Sequence, residues 1–303
     1  MEGLQGADLQ PCQLSRSPAQ SELARVALPG ACLDMVRLGP GMSFTGTMPR
    51  GFYSLIFVLE CPQPGRVFNF NIEHTDGYLG FFPPGSLLDA TTPPGYRNAS
   101  LTLPVADLES WISALNVELP DSLFTSGAGL RVDAEAGRAI AALASSLWGM
   151  IDDPSQALAD ESVRREVGRG FRVAYLDALI SGSTHLVPRQ RMRMIKRHEK
   201  LRRAREYLAS HAHEPVYLDD LCAETGVSRR ALESIFHDLL GLSPIAYLRH
   251  LRLHGVRRAI QHAPPEARLV KRFALEWGFW HLGHFAEDYY KLFGELPHQT
   301  VLK

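Results

Sequence analysis

Residues 218–244 read LDDLCAETGVSRRALESIFHDLLGLSP, and residues 270–297 read VKRFALEWGFWHLGHFAEDYYKLFGELP. The two stretches follow one pattern. Each opens on a short apolar run and places an acidic residue two positions before a glycine, Glu224 before Gly226 and Glu276 before Gly278. Each continues into an amphipathic run with an aromatic residue, Phe236 or Tyr289, five positions before a second glycine, Gly241 or Gly294, and a proline, Pro244 or Pro297, three positions further on. The glycines are 15 positions apart in the first copy and 16 in the second, so the second turn carries one extra residue. A short helix, a glycine turn and a second amphipathic helix form a helix-turn-helix, whose second helix fits the major groove of DNA. Two copies about 52 residues apart predict two such helices on one face, spaced for successive turns of the duplex at roughly 34 Å.

Charge divides the chain at the same place. Residues 1–188 hold 12 Arg, no Lys and 20 Asp or Glu, a balance of −8, whereas residues 189–303 hold 20 Lys or Arg against 13 Asp or Glu, a balance of +7. The near-neutral total of −1 therefore hides an acidic N-terminal part and a basic C-terminal part. That asymmetry is expected where one domain meets phosphate, although Arg-rich solvated helix faces produce it too.

At 303 residues and 45% hydrophobic content, the chain is long enough for two domains with their own cores. Cys12, Cys32, Cys61 and Cys222 are scattered without a CxxC pair, which suggests neither a zinc site nor a disulfide framework. MEGLQGADLQ at the start lacks the basic and apolar regions of a signal peptide, and no apolar run reaches a membrane span. A cytoplasmic location without membrane attachment is expected.

Residues 1–25 read as a polar, irregular arm. From about 30 to 104, short β-rich runs alternate with Gly/Pro turns, and strands are expected at 31–38, 53–60, 67–74, 78–83 and 99–104. Helical periodicity follows. Ile140, Leu143, Leu147 and Met150 share one face of 133–151, and Leu158, Val163, Val167, Phe171, Ala174 and Ala178 recur at helical intervals over 155–181. This helical pair either packs on the β region or forms a dimer contact. A linker, 181–195, leads to a helix at 198–212, and 243–263 is long enough to join the two repeated motifs rigidly.

With LDDLCAETGVS, RRALESIF, GLSPIAYLRHLRL and ALEWGF…HF…YYKLFGELP in view, residues 196–303 resemble the DNA-binding domain of the AraC family of bacterial transcription regulators. The resemblance implies two helix-turn-helix units joined by a long helix. It also implies an N-terminal cupin-like β-barrel followed by dimerisation helices, with GYRNASLTLPVADL (95–108) the segment most like that domain. The expected class is α+β. An effector-binding and dimerisation domain spans 1–185, with the barrel at about 30–105 and helices at about 106–183. A linker at 186–195 joins it to an all-α DNA-binding domain at 196–303. Promoter DNA, a small-molecule effector, RNA polymerase and a second copy of the chain are the implied partners. No cofactor is implied, and activation is the expected direction of control.

On the outer face of the second helix of the first motif, the DNA-reading candidates are Arg229, Arg230, Glu233, Ser234 and His237, with Leu232 and Phe236 turned inward. In the second motif they are His281, His284, Glu287 and Lys291, with Phe285, Tyr289 and Leu292 packed. Arginine bidentate to guanine is the commonest base contact, but half or more of protein–DNA hydrogen bonds go to the backbone, so about half of these residues position rather than read. Trp280 follows the second turn; it reads as an interior aromatic, with contact to a thymine methyl the other possibility.

A cupin-like barrel raises the question of a metal-dependent enzyme. Such a site needs two or three histidines with a carboxylate, and the barrel region holds only His74. No GxSxG, Walker or dinucleotide motif is present, so an enzyme is not expected. A non-specific nucleic-acid-binding or scaffolding protein is the alternative of a different class. For the effector, the barrel interior is the default pocket, with Phe57, Phe70 and Tyr78 as lining candidates, each of which reads first as a core residue, and the family resemblance implies a neutral or sugar-like metabolite held there. A second site lies at Arg189 and Arg193, an Arg-xxx-Arg similar to the arginine motif with which PilZ domains grip cyclic di-GMP. The arginine fork pairs with guanine or phosphate and stacks on the purine. The accompanying D/N-x-S-x-x-G motif is only half present, at Asn98–Ser100 and Asp153–Ser155, and a basic linker that touches DNA phosphate explains the same residues.

Overall fold

A computed structural model describes residues 6–67, 72–152, 157–183, 192–264 and 268–301, without the side chains of 152 and 192–195. The chain divides into two compact units. The first comprises Met1–Gln10, Ala19–Gly39 and Phe44–Gln190, and the second comprises Pro11–Pro18, Pro40–Ser43 and Arg191–Lys303.

The β region contains strands β1 (Asp8–Gln13), β2 (Glu22–Leu28), β3 (Ala31–Arg37), β4 (Met42–Thr47), β5 (Phe52–Glu60) and β6 (Gly65–Val67). These are followed by β7 (Ile72–His74), β8 (Tyr78–Phe82), β9 (Leu87–Thr92), β10 (Arg97–Pro104) and, after helices α1 (Val105–Ala114) and α2 (Asp121–Ser126), β11 (Ala128–Arg131). One sheet runs β1-β4-β9-β6-β7 and the other β11-β8-β5-β10-β3-β2. In the larger sheet β10 is central, antiparallel to β3 and to β5, with Leu101 opposite both Leu33 and Leu55.

Strand alternation sorts the two faces of the larger sheet. Ala99, Leu101 and Leu103 of β10 join Leu33, Leu55, Phe57 and Phe81 in one core, which is closed by helices α3 (Ala134–Asp152) and α4 (Glu161–Ser183). Ile140, Ala144 and Leu147 of α3, and Phe171, Ala174, Tyr175 and Ala178 of α4, supply the helical side at the 3–4 residue spacing that one helix face requires. Tyr175 is fully buried and donates its hydroxyl hydrogen to the carbonyl of Ala99 at 2.6 Å, which satisfies the phenol inside the apolar layer.

Several expectations for this unit need correction. Within the expected irregular arm at 1–25, residues 8–13 form β1 and residues 22–25 begin β2. The run 67–74 is not one strand. Val67 stands antiparallel to Ile72, so β6 and β7 face each other as a hairpin across residues outside the described set. Phe57 packs with the helical layer, 3.5 Å from where a side chain on Gly137 of α3 would start, so of its two readings the core one holds and the pocket-lining one does not. Phe70 lies outside the described residues.

Candidate nucleic-acid interface

From Met192 onward the second unit is helical. Helix α5 (Met192–Ser210) precedes α6 (Leu218–Thr225) and α7 (Arg229–Leu240), the 19-residue helix α8 (Pro244–His262) follows, and α9 (Val270–Glu276), α10 (Leu282–Phe293) and α11 (Pro297–Val301) complete the chain. At 1.5 Å per residue α8 is about 28 Å long, a rigid spacer of the scale of one DNA turn.

The repeated sequence folds as a repeated structure. Asp220 accepts the N–H of Tyr217 and so starts α6. The helix stops at Gly226, whose φ of +65° is left-handed backbone that side-chain-bearing residues avoid. Ser228 then caps α7, accepting from the N–H of Ala231 at 3.4 Å. In the second copy Gly278, with φ +78°, makes the turn. Helices α7 and α10 are both 12 residues long, and both end on a left-handed glycine, Gly241 or Gly294. The extra residue therefore lies in the turn. Two residues, Val227 and Ser228, stand between Gly226 and α7, and three, Phe279, Trp280 and His281, stand between Gly278 and α10.

Helix α7 buries Leu232, Ile235, Phe236, Leu239 and Leu240, while Arg229, Arg230, Glu233, Ser234 and His237 are all exposed. Helix α10 buries Phe285, Tyr289 and Leu292 and exposes His284, Glu287 and Lys291, with the exposed His281 as its N-cap residue. The structure thus brings each set of candidates onto one surface of its helix, but their engagements differ. Arg229 is committed to the carboxylate of Asp219 through two hydrogen bonds of 2.8 Å, and this pairing holds the Asp219 carboxyl below its ordinary range. Ser234 donates to Asp238 and accepts from Arg197 of α5. Lys291 pairs with Glu287 one helical turn away at 2.6 Å, which pushes the Glu287 carboxyl down and the Lys291 ammonium up. Arg230 takes part in no ion pair among the described residues. It is the unencumbered cation of α7. Arg189 and the side chain of Arg193 lie outside the described residues.

Of the two tryptophans beside the second turn, the one expected inside is not the one that packs. Trp277 is the packed one. It lies against the core of α8–α10, meets the tilted ring of His213 with centroids 3.8 Å apart, and approaches α8 so closely that a side chain on Gly255 would start 2.3 Å from its ring. Trp280, expected inside, is 76% exposed. It overhangs an open groove of 580 Å³ between α8 and α10, lined also by Ile245, Arg249 and His284. Arg249, absent from the sequence-based candidates, is held there by Asp288 at 3.3 Å. Its signal was available, since Arg249 lies four residues after Ile245 on the same face of the joining helix.

Residues 221–302 match the helix-turn-helix domain family. A probable AraC family transcriptional regulator from Rhodopseudomonas palustris CGA009 has a solved structure that is 33% identical, covers 34% of this chain and 95% of its own, and superposes with a TM-score of 0.32. The chain belongs to the AraC family through this domain. The XylDLEGF operon transcriptional activator 2 of Pseudomonas putida is 32% identical over 96 residues, 32% of this chain and 61% of that protein. The probable thc operon regulatory protein of Rhodococcus erythropolis is 29% identical over 199 residues, 64% of this chain and 58% of that protein. The AraC-type match therefore spans less than two thirds of either relative's length.

Proposed function

We propose that the chain is a cytoplasmic transcription activator that binds promoter DNA sequence-specifically through α7 and α10, as a homodimer, and acts on RNA polymerase. In this reading it is not an enzyme; residues 1–185 sense an effector and dimerise through the helices near 133–181, 186–195 link, and 196–303 bind DNA. The observation that carries it is the pair of glycine-turned helices, each with a buried aromatic face and an exposed polar one. The name of the Pseudomonas relative, an operon transcriptional activator, supports the direction of control.

The test is binding of the full chain to its own upstream duplex against random duplex and RNA. Replacing Arg230 by Ala is expected to cost about 1–3 kcal/mol at the preferred site and to relax selectivity at one base pair. Equal losses on every duplex identify Arg230 as a phosphate contact, and equal competition by RNA returns the chain to the scaffolding class.

The proposal for the effector is a small anion, cyclic di-GMP by chemistry, held at Arg189 and Arg193. The reversal from −8 to +7 at position 189 supports it, because a dianion is repelled by the acidic part and attracted at the start of the basic one. Calorimetric titration of the full chain with cyclic di-GMP is expected to show binding that is lost when both arginines become Ala. An unchanged affinity, or none in the wild type, moves the site to the barrel and a sugar-like ligand. One observation favours that second reading: the Tyr78 hydroxyl is buried and has no hydrogen-bond partner among the described residues.

A further inference from the structure

Trp280 is the most exposed of the large hydrophobic side chains among the described residues. Its outward orientation is built into the second turn. Phe279 donates its N–H to the Ala274 carbonyl at 2.9 Å and packs its ring 5.0 Å from that of Phe285. With Phe279 anchored inward, the next residue is left facing water before His281 opens α10. The first motif has no counterpart, since its shorter turn places only Val227 and Ser228 between Gly226 and α7. Ile245 and Leu282, 38% and 37% exposed, extend the apolar surface around the indole.

In a helix-turn-helix the residues at the N-terminal end of the second helix meet the base edges. An indole there offers two flat apolar faces and a single N–H donor, with no acceptor. The apolar group that the major groove presents is the thymine 5-methyl. We infer that Trp280 covers a thymine methyl within the part of the site read by α10, and so selects thymine at one base pair. The inference rests on the DNA-binding reading proposed above.

The full chain is used to select its preferred duplex from a randomised pool, and each thymine is then replaced singly by uracil, which removes only the methyl. Losing one buried methyl-sized apolar contact is expected to weaken wild-type binding about fourfold at one position. In Trp280→Ala thymine and uracil should bind equally at that position, while discrimination elsewhere is retained. Trp280→Phe should keep part of the preference, and unchanged thermal melting of both variants shows that the fold is intact. Discrimination that persists in Trp280→Ala overturns the inference, as does undiminished DNA affinity in that variant, which assigns the indole to a protein contact. If the wild type enriches no site, the DNA-binding reading fails first and the inference goes with it.

Discussion

Replacing Tyr289 by Ala is expected to destabilise the second helix-turn-helix by about 3–5 kcal/mol, the range for removing a large buried aromatic. The ring is fully buried on α10, within 4.6 Å of Phe293 and 5.7 Å of Phe285. Its hydroxyl meets that of Thr300 at 2.7 Å, and Thr300 donates to Glu295 at 2.8 Å, so the phenol is the donor at the head of the chain. Glu295 in turn pairs with Arg257 of α8 at 3.0 Å. One side chain thus ties α10 to α11 and to the joining helix α8. Burial first, opposed by the Thr300 bond, pushes the phenol up to about 12, so it keeps its proton throughout the working range. Tyr289→Phe retains the packing and removes the head of the network, for a cost of about 1 kcal/mol. Hydrogen exchange resolved by peptide separates the two effects. Faster exchange over 270–301 in the Ala variant, with 218–240 little changed, is the expected pattern. A Phe variant as damaged as the Ala variant would show that the hydrogen bonds, and not the ring, carry the stability.

Acidification is expected to weaken the β unit through His74. The imidazole is 3% exposed, lies between the rings of Tyr78 and Tyr96 at 5.5 and 5.3 Å, and reaches the Thr91 carbonyl at 3.3 Å through Nε2, which therefore carries the proton. Gly65 makes the room, since a side chain there would start 2.1 Å from Nε2. Burial, only partly offset by the carbonyl bond, lowers the pKa from 6.5 to about 4. Because the folded value is the lower one, the unfolded chain takes up a proton near pH 6.5 that the folded chain refuses until about pH 4. Stability is full above that window and falls as the pH drops through it, by a total of about 3 kcal/mol. His74→Phe, which cannot titrate, should flatten this part of the profile in urea unfolding followed between pH 7 and 4.5. His254, lowered to about 3 by burial, adds a slope from the other unit, so the readout is the difference between wild type and variant. Identical slopes in the two proteins would remove His74 as the cause.

The helical unit was readable from sequence because its signals are local. Glycines at left-handed positions, serine caps and aromatics spaced along one helix face each act within a few residues, and the structure realises them at Gly226, Ser228 and Phe236. The β unit was less legible. Strand β9, LLDATT, buries Asp89, Thr91 and Thr92, so polar residues at inward positions hide the hydrophobic alternation. Strand β2, ELARVAL, consists largely of good helix formers and becomes a strand by pairing with β3 from Glu22 to Leu28. VFNFNIEH has strand character throughout in sequence, and only the pairing of Val67 with Ile72 shows that its two ends belong to different strands. At the candidate interface, exposure of α7 and α10 followed from periodicity, but the roles of Trp277 and Trp280 did not. Both are tryptophans beside one turn, and the choice between them depends on Gly255, more than 20 residues away, leaving room for Trp277 alone.

The unequal turns give the molecule a head and a tail. Helix α7 begins three residues after its glycine and α10 four residues after its own, and the surfaces they present share neither charge pattern nor aromatic content. A protein with two identical readers in tandem would fit its site equally well one repeat further along. Under the proposed function this chain has one frame and one heading on the duplex, so a single copy suffices to tell upstream from downstream.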